Sequence, residues 1–170
     1  ILKVKKKIQY EIEKLYEIDK ILFLDIETTG FTAKNSNLYL IGCAYFHDNV
    51  WNLKQWFCEN PEDEQDILHS FLDFLNSYEF IIHFNGNNFD IPYLAGKAEQ
   101  YHIFCPLSDL QRLDLYRRIS PFKFFLKLPN CKQKTLESFL EIERDDQFNG
   151  GELIQKYHEY LLQPDDNLRE

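Results

Sequence analysis

An apolar run that ends on two acids constrains this chain most: Ile21-Leu22-Phe23-Leu24-Asp25-Ile26-Glu27, closed by Thr28-Thr29-Gly30. Its length and composition predict a short buried strand over 21–26. Alternate side chains of a strand share a face, so Asp25 and Glu27 point one way while Ile26 points into the core. Two carboxylates roughly 7 Å apart on one strand face can ligate a pair of hard cations. Taken alone, the same pattern also describes an acidic strand end standing in solvent.

A second segment runs Ile81-Ile82-His83-Phe84-Asn85-Gly86-Asn87-Asn88-Phe89-Asp90-Ile91-Pro92-Tyr93-Leu94. Phe80 to Phe84 is predicted to be a strand, 85–88 a polar turn, and Phe89 to Tyr101 a helix with Pro92 in its first turn. Asp90 then falls in the first helical turn, where the helix dipole by itself favours a carboxylate. The functional reading is that the turn presents Asp90 toward cations held by Asp25 and Glu27. Phe89, Tyr93 and Leu94 are expected to lock the helix against the sheet.

Between these segments, Leu38 to Phe46 and Val50 to Phe57 read as strands, with His47-Asp48-Asn49 as the hairpin turn. The first three strands are therefore expected to form an antiparallel meander. Asn60-Pro61-Glu62-Asp63 is a helix start, followed by the apolar face Ile67, Leu68, Phe71, Leu72 and Leu75. Val4, Ile8, Ile12 and Leu15 predict an amphipathic helix over 3–18. Further helices are expected at about 109–119, 133–140 and 150–162. The organisation is an N-terminal helix over 1–19 followed by one α/β domain over 20–170.

Composition narrows the class. Hydrophobic residues are 44% and aromatics 16% of the 170 residues, too many for a disordered chain. No apolar run reaches the roughly 18–20 residues that cross a bilayer, so a cytoplasmic protein without membrane contact is expected. Cys43, Cys58, Cys105 and Cys131 form no CxxC pair and no zinc spacing with histidine, and read as buried small hydrophobes. A net charge of −9 argues against binding nucleic acid through a broad basic surface. It does not exclude an enzyme that acts on nucleic acid, because bound divalent cations restore attraction for phosphate. The chain has no methionine and is expected to be a fragment.

Asp25-Ile26-Glu27-Thr28-Thr29-Gly30 resembles the first exonuclease motif of DnaQ-like and family-B polymerase proofreading domains, and Asn85 to Asp90 with Ile91-Pro92-Tyr93-Leu94 resembles their second. Leu113-Asp114-Leu115, Thr135-Leu136-Glu137, Ile142-Glu143-Arg144-Asp145-Asp146 and Tyr157 to Leu161 are similar to later segments of YprB-type ribonuclease-H-like proteins. The resemblance covers about residues 20–168. It implies a ribonuclease-H-like mixed sheet, antiparallel in its first three strands and then parallel, flanked by helices. It further implies a DEDD-type 3′–5′ exonuclease acting on a single-stranded 3′ end of nucleic acid. Two Mg²⁺ or Mn²⁺ ions, about 3.5–4 Å apart, would flank the scissile phosphate. Asp25, Glu27 and Asp90 are the implied catalytic and metal residues, with Asp114 as an auxiliary ligand; Thr28, Asn85, Asn88 and Phe89 are the implied substrate contacts.

One departure stands out. The group takes a fourth acid from a third motif, which in the YprB-type pattern follows the segment matching Asp165-Asp166-Asn167-Leu168. The chain given ends at Glu170, so the third motif is expected beyond it. Two readings stay open: Asp165 or Asp166 replaces that acid, or the domain is a non-catalytic relative used as a binding module. A piece of a larger polymerase or helicase is a further alternative. His83 reads as a satisfied core histidine, and Lys3 to Lys7 as a solvated helix face. Arg117, Arg118 and Lys123 with Phe122, Phe124 and Phe125 fit either contact with single-stranded nucleic acid or ordinary core packing.

Overall fold

The computed structural model describes residues 17–143 and 148–164. Five strands form one sheet: β1 (Ile21–Thr28), β2 (Leu38–His47), β3 (Val50–Phe57), β4 (Phe80–His83) and β5 (Gln111–Asp114), in the order β3-β2-β1-β4-β5. The β1–β2 and β2–β3 pairs are antiparallel, while β4 runs parallel to β1 and β5 parallel to β4. This is the expected mixed sheet. Asp48 and Asn49 both adopt left-handed backbone (φ 52° and 63°) between the paired residues His47 and Val50. That conformation matches the twist of a two-residue hairpin and suits Asp and Asn.

The helices are α1 (Glu64–Leu75), α2 (Asp90–Gln100), α3 (Leu115–Ile119), α4 (Gln133–Phe139) and α5 (Gly150–Leu162). A capping box between Asn60 and Asp63 starts the turn that leads into α1, as the Asn60-Pro61 signal predicts. Leu68, Phe71, Leu72 and Leu75 of α1 are buried against Leu22, Leu24, Ile26, Ile41 and Trp56. Each such side chain contributes about 1.5–3 kcal/mol by leaving water. Leu94 and Ala98 of α2 complete this core. On the sheet side shared by Leu40 and Glu27, Tyr157 of α5 stacks on Tyr39 with ring centroids 4.4 Å apart.

One expectation is corrected. The helix expected over 109–119 is a strand at Gln111–Asp114 and a helix only from Leu115. Parallel pairing with Phe80–His83 claims the backbone of 111–114, and this tertiary hydrogen bonding overrides local propensity. At the N-terminal end, Glu17 is extended and Ile18–Lys20 form a 3₁₀ turn, while the rest of the helix expected at 3–18 lies outside the described residues. Arg144, Asp145, Asp146, Asp165 and Asp166 lie outside them as well.

Candidate active site

The parallel strands β1, β4 and β5 all end at one edge of the sheet, the place where open α/β sheets put their ligand sites. In β1, Leu22, Leu24, Ile26 and Thr28 are buried, whereas Asp25 is exposed and Glu27 half-buried. The alternation therefore sets the two acids on one face, as expected.

Pairing of β1 with β4 is confined to Ile21–Phe23, which leaves the β1 edge beyond Phe23 without a strand partner on that side. Asp90, only 6% exposed, fills this gap. Its Oδ1 accepts a hydrogen bond of 3.2 Å from the backbone N–H of Ile26, the residue between the two β1 acids. Tyr93 fixes the helix that carries Asp90: it is buried, packs on Phe89, and its hydroxyl lies 2.8 Å from Ser36 Oγ.

The turn before Asp90 is tightly built. Asn85 takes left-handed backbone (φ 61°), which asparagine tolerates. The buried Asp114 carboxylate accepts from the N–H groups of Asn85 (2.9 Å), Asn87 (3.4 Å) and Arg117 (3.3 Å). It thus holds the turn and caps α3. His83 Nδ1 accepts from the N–H of Gly86 at 3.0 Å, while its buried Nε2 has no hydrogen-bond partner among the described residues, so this core histidine is only half satisfied. Burial holds the imidazole below its ordinary range, opposed by the nearby Asp114 charge.

Like charges and burial set the electrostatics. Burial pushes the Glu27 carboxyl up to about 7, with the Asp25 and Asp90 charges adding to the rise. Burial and Asp25 push Asp90 up to about 6, against the stabilising N–H groups of Asp90 and Ile26. Tyr39, which sequence reasoning passed over, turns its hydroxyl toward Glu27 and opposes the rise, though the contact falls short of a well-formed hydrogen bond. A β-bulge where β1 meets β2 at Glu27/Thr28 places it there.

Asp25 and Asp90 open onto a groove of about 790 Å³. Phe84, Asn85, Phe89 and Tyr116 line it, together with Lys123, Asn130 and Lys132. Of the expected substrate contacts, Asn85 and Phe89 line this groove. Asn88 is exposed and bonded to Asn85 and Arg117, and the Thr28 hydroxyl donates to the Gly30 carbonyl at 2.7 Å, within its own turn. Asn130 and Lys132 escaped the sequence reading. Their only local signal is the Asn130 side chain, which accepts from Lys132 N–H and Thr135 Oγ1 to start α4.

Asp25, Glu27 and Asp90 are hard oxygen donors of the kind that divalent cations take, and the Asp25 charge bears on both of the others. Among the described residues, no three His, Cys, Asp or Glu side chains by themselves close a metal cage.

Solved structures share this fold. The family B DNA polymerase from the hyperthermophilic archaeon Pyrobaculum calidifontis superposes with a TM-score of 0.69 at 15% identity, over 88% of this chain and 21% of the polymerase. E. coli exonuclease I in complex with a dA16 oligonucleotide gives 0.56 at 15% identity, over 74% of this chain and 37% of that one. The zinc-bound form of the E. coli exonuclease I complex with single-stranded DNA gives 0.57 at 15%, over 75% and 36%. The chain thus spans about a fifth of the polymerase and just over a third of exonuclease I. No curated protein sequence matches it. Residues 22–170 match the sequence model of the RNase H superfamily, nearly the whole chain, and the chain belongs to that superfamily.

Proposed function

We propose that this chain is the catalytic domain of a metal-dependent nuclease that hydrolyses phosphodiester bonds from the 3′ end of single-stranded nucleic acid. The hydrogen bond from Ile26 N–H to Asp90 carries the reading, because it brings a third carboxylate against the Asp25–Glu27 face at the mouth of a groove. Asp25, Glu27 and Asp90 would hold Mg²⁺ or Mn²⁺. Bound there, the ions would supply Lewis acidity to the phosphoryl oxygen and lower the pKa of the attacking water. The Tyr39 hydroxyl lies toward Glu27, and Asp114 keeps the turn before Asp90 in place while its charge adds to the rise at Asp90. The fourth carboxylate of the group is proposed to come from outside the described residues. Single-stranded DNA in E. coli exonuclease I, and zinc in one of its forms, support the choice of substrate and of a divalent ion.

A second reading, a non-catalytic binding module of the same fold, draws on one observation: the described carboxylates do not close a cage alone. One assay separates the two. Full-length protein is incubated with Mn²⁺ and end-labelled single-stranded DNA or RNA, beside Asp25→Ala and Asp90→Ala. The expected outcome is shortening from the 3′ end, abolished by EDTA and reduced about 100-fold or more by either substitution. Cleavage that survives both substitutions would sink the site assignment, and no cleavage under any condition would favour the binding module.

A further inference from the structure

Residues 111–134 hold seven of the chain's 19 lysines and arginines but a single acid, the buried Asp114, in a protein of net charge −9. The same stretch carries three phenylalanines that the core does not take. Phe122 is 57%, Phe124 89% and Phe125 84% exposed. Their core-packing explanation therefore fails.

These rings do not sit on a slack loop. Leu126 N–H donates to the Phe122 carbonyl, Lys127 N–H to Phe124, and Leu128 N–H to Lys123. With Lys127 in left-handed backbone (φ 53°), this is the hydrogen-bond pattern of a Schellman closure. Leu128 is buried beneath it and anchors the turn. The backbone that carries the outward phenylalanines is thus set before anything binds. Lys123 joins the turn to the site, since it lines the groove with Asp25, Asp90 and Lys132 while its Nζ lies 5.7 Å from the Phe124 ring centroid.

Exposed aromatics interleaved with cations fit a polyanion that carries flat π-faces. A protein partner fits less well, because the buried centres of protein interfaces are depleted in lysine. Duplex nucleic acid fits less well too, because its base faces are stacked on each other.

We propose that the Phe122–Lys132 arm is a grip for single-stranded polynucleotide, in which Phe124 and Phe125 stack on bases while Lys123 and Lys132 pair with backbone phosphates. The inference rests on reading the groove as a nuclease site, and adds to it the residues that select single strands. Phosphates and base faces are common to DNA and RNA, so the arm holds both sugars alike.

The test is fluorescence-anisotropy binding of labelled oligo-dT and oligo-rU of about twelve nucleotides, a length within the span of known single-strand sites. It is run in EDTA, so that binding is read without cleavage. Phe124→Ala/Phe125→Ala is expected to weaken both oligonucleotides about ten- to hundred-fold while the thermal midpoint is unchanged. Lys123→Gln/Lys132→Gln is expected to lower the slope of log affinity against log salt by about 1.4. Binding of a duplex of the same length should be weaker and indifferent to the phenylalanines. Unchanged oligonucleotide affinity in the phenylalanine variant, or equal loss for duplex, overturns the grip. Hydrolysis of the p-nitrophenyl ester of thymidine 5′-phosphate with Mn²⁺, which needs the carboxylates and not Phe124 or Phe125, is measured in parallel on wild type and the phenylalanine variant. An arm-dependent affinity in a protein that hydrolyses neither ester nor oligonucleotide keeps the grip and removes the proposed reaction.

Discussion

The carboxylate of Asp90 accepts the backbone N–H of Ile26 across 64 residues of chain, and through that bond the N-terminus of α2 is tied to β1. The contact satisfies an edge N–H that β4 does not reach, yet it also holds a buried carboxylate beside Asp25 and Glu27. Structure and function ask different things of this one side chain.

Asp90→Asn separates the two demands. Asn keeps an oxygen to accept from Ile26 and loses the charge that burial and Asp25 oppose. In EDTA at pH 8 the variant is expected to be more stable than wild type by about 1–3 kcal/mol, read by denaturant titration. Its Mn²⁺-dependent cleavage is expected to be lost. A variant that is both less stable and fully active would refute the arrangement.

Stability without metal should depend on pH in the direction set by the raised carboxyls. Glu27 rises from 4.5 to about 7 and Asp90 from 3.8 to about 6. Their protonated forms are favoured by the fold, so their contribution is fully present below the unfolded values and is lost as pH rises through about 6 to 7. The melting temperature in EDTA should fall between pH 5 and pH 8, less steeply in Asp90→Asn. Mg²⁺ added at pH 8 should raise it by binding only the folded state. Identical slopes in wild type and Asp90→Asn would remove Asp90 from the coupled set.

Gly86 has no room for a side chain. A Cβ there would lie 2.8 Å from both Cγ and Nδ1 of His83 and 3.1 Å from Asp90 Oδ2. Gly86→Ala must displace the buried imidazole, the carboxylate or both, at about 1–3 kcal/mol of stability. Cleavage should fall by more than that loss explains, measured at a temperature where circular dichroism shows the variant folded. Full activity would mean that the turn is free to move without harm.

A buried ion pair joins α1 to α2. Glu64 and Lys97 are 1% and 2% exposed, with Glu64 Oε2 2.9 Å from Lys97 Nζ. Glu64 also accepts from Tyr101 hydroxyl and from the N–H of Leu38. Glu64→Ala leaves a buried ammonium without its partner and is expected to destabilise by about 3–5 kcal/mol. Glu64→Gln/Lys97→Met should recover part of that loss in urea titrations. A loss below about 1 kcal/mol in Glu64→Ala would show that water reaches the pair.

Much of the scaffold was legible because it depends on chain neighbours. Alternation in β1 placed Asp25 and Glu27 on one face, Asp48-Asn49 marked the hairpin, and Asn60-Pro61 marked the entry to α1. Gln111–Asp114 was misread as helix because four residues carry too little pattern to outweigh the helical stretch that follows. The Glu64–Lys97 pair was illegible for a related reason: an acid in the first turn of a helix normally faces solvent, and only packing against α2 buries this one.

The sequence by itself determined the two acidic segments, their strand and turn settings, and membership of the fold, because spacing along a strand or a helix start is a local property. Only the tertiary structure decided that Asp90 meets β1 at Ile26, that Tyr39 faces Glu27, and that Phe124 and Phe125 stand in solvent beside a lysine-lined groove. Each of those depends on which backbone edge is left unpaired and which surface is left uncovered once the sheet and helices have packed, and neither is written in any stretch of neighbouring residues.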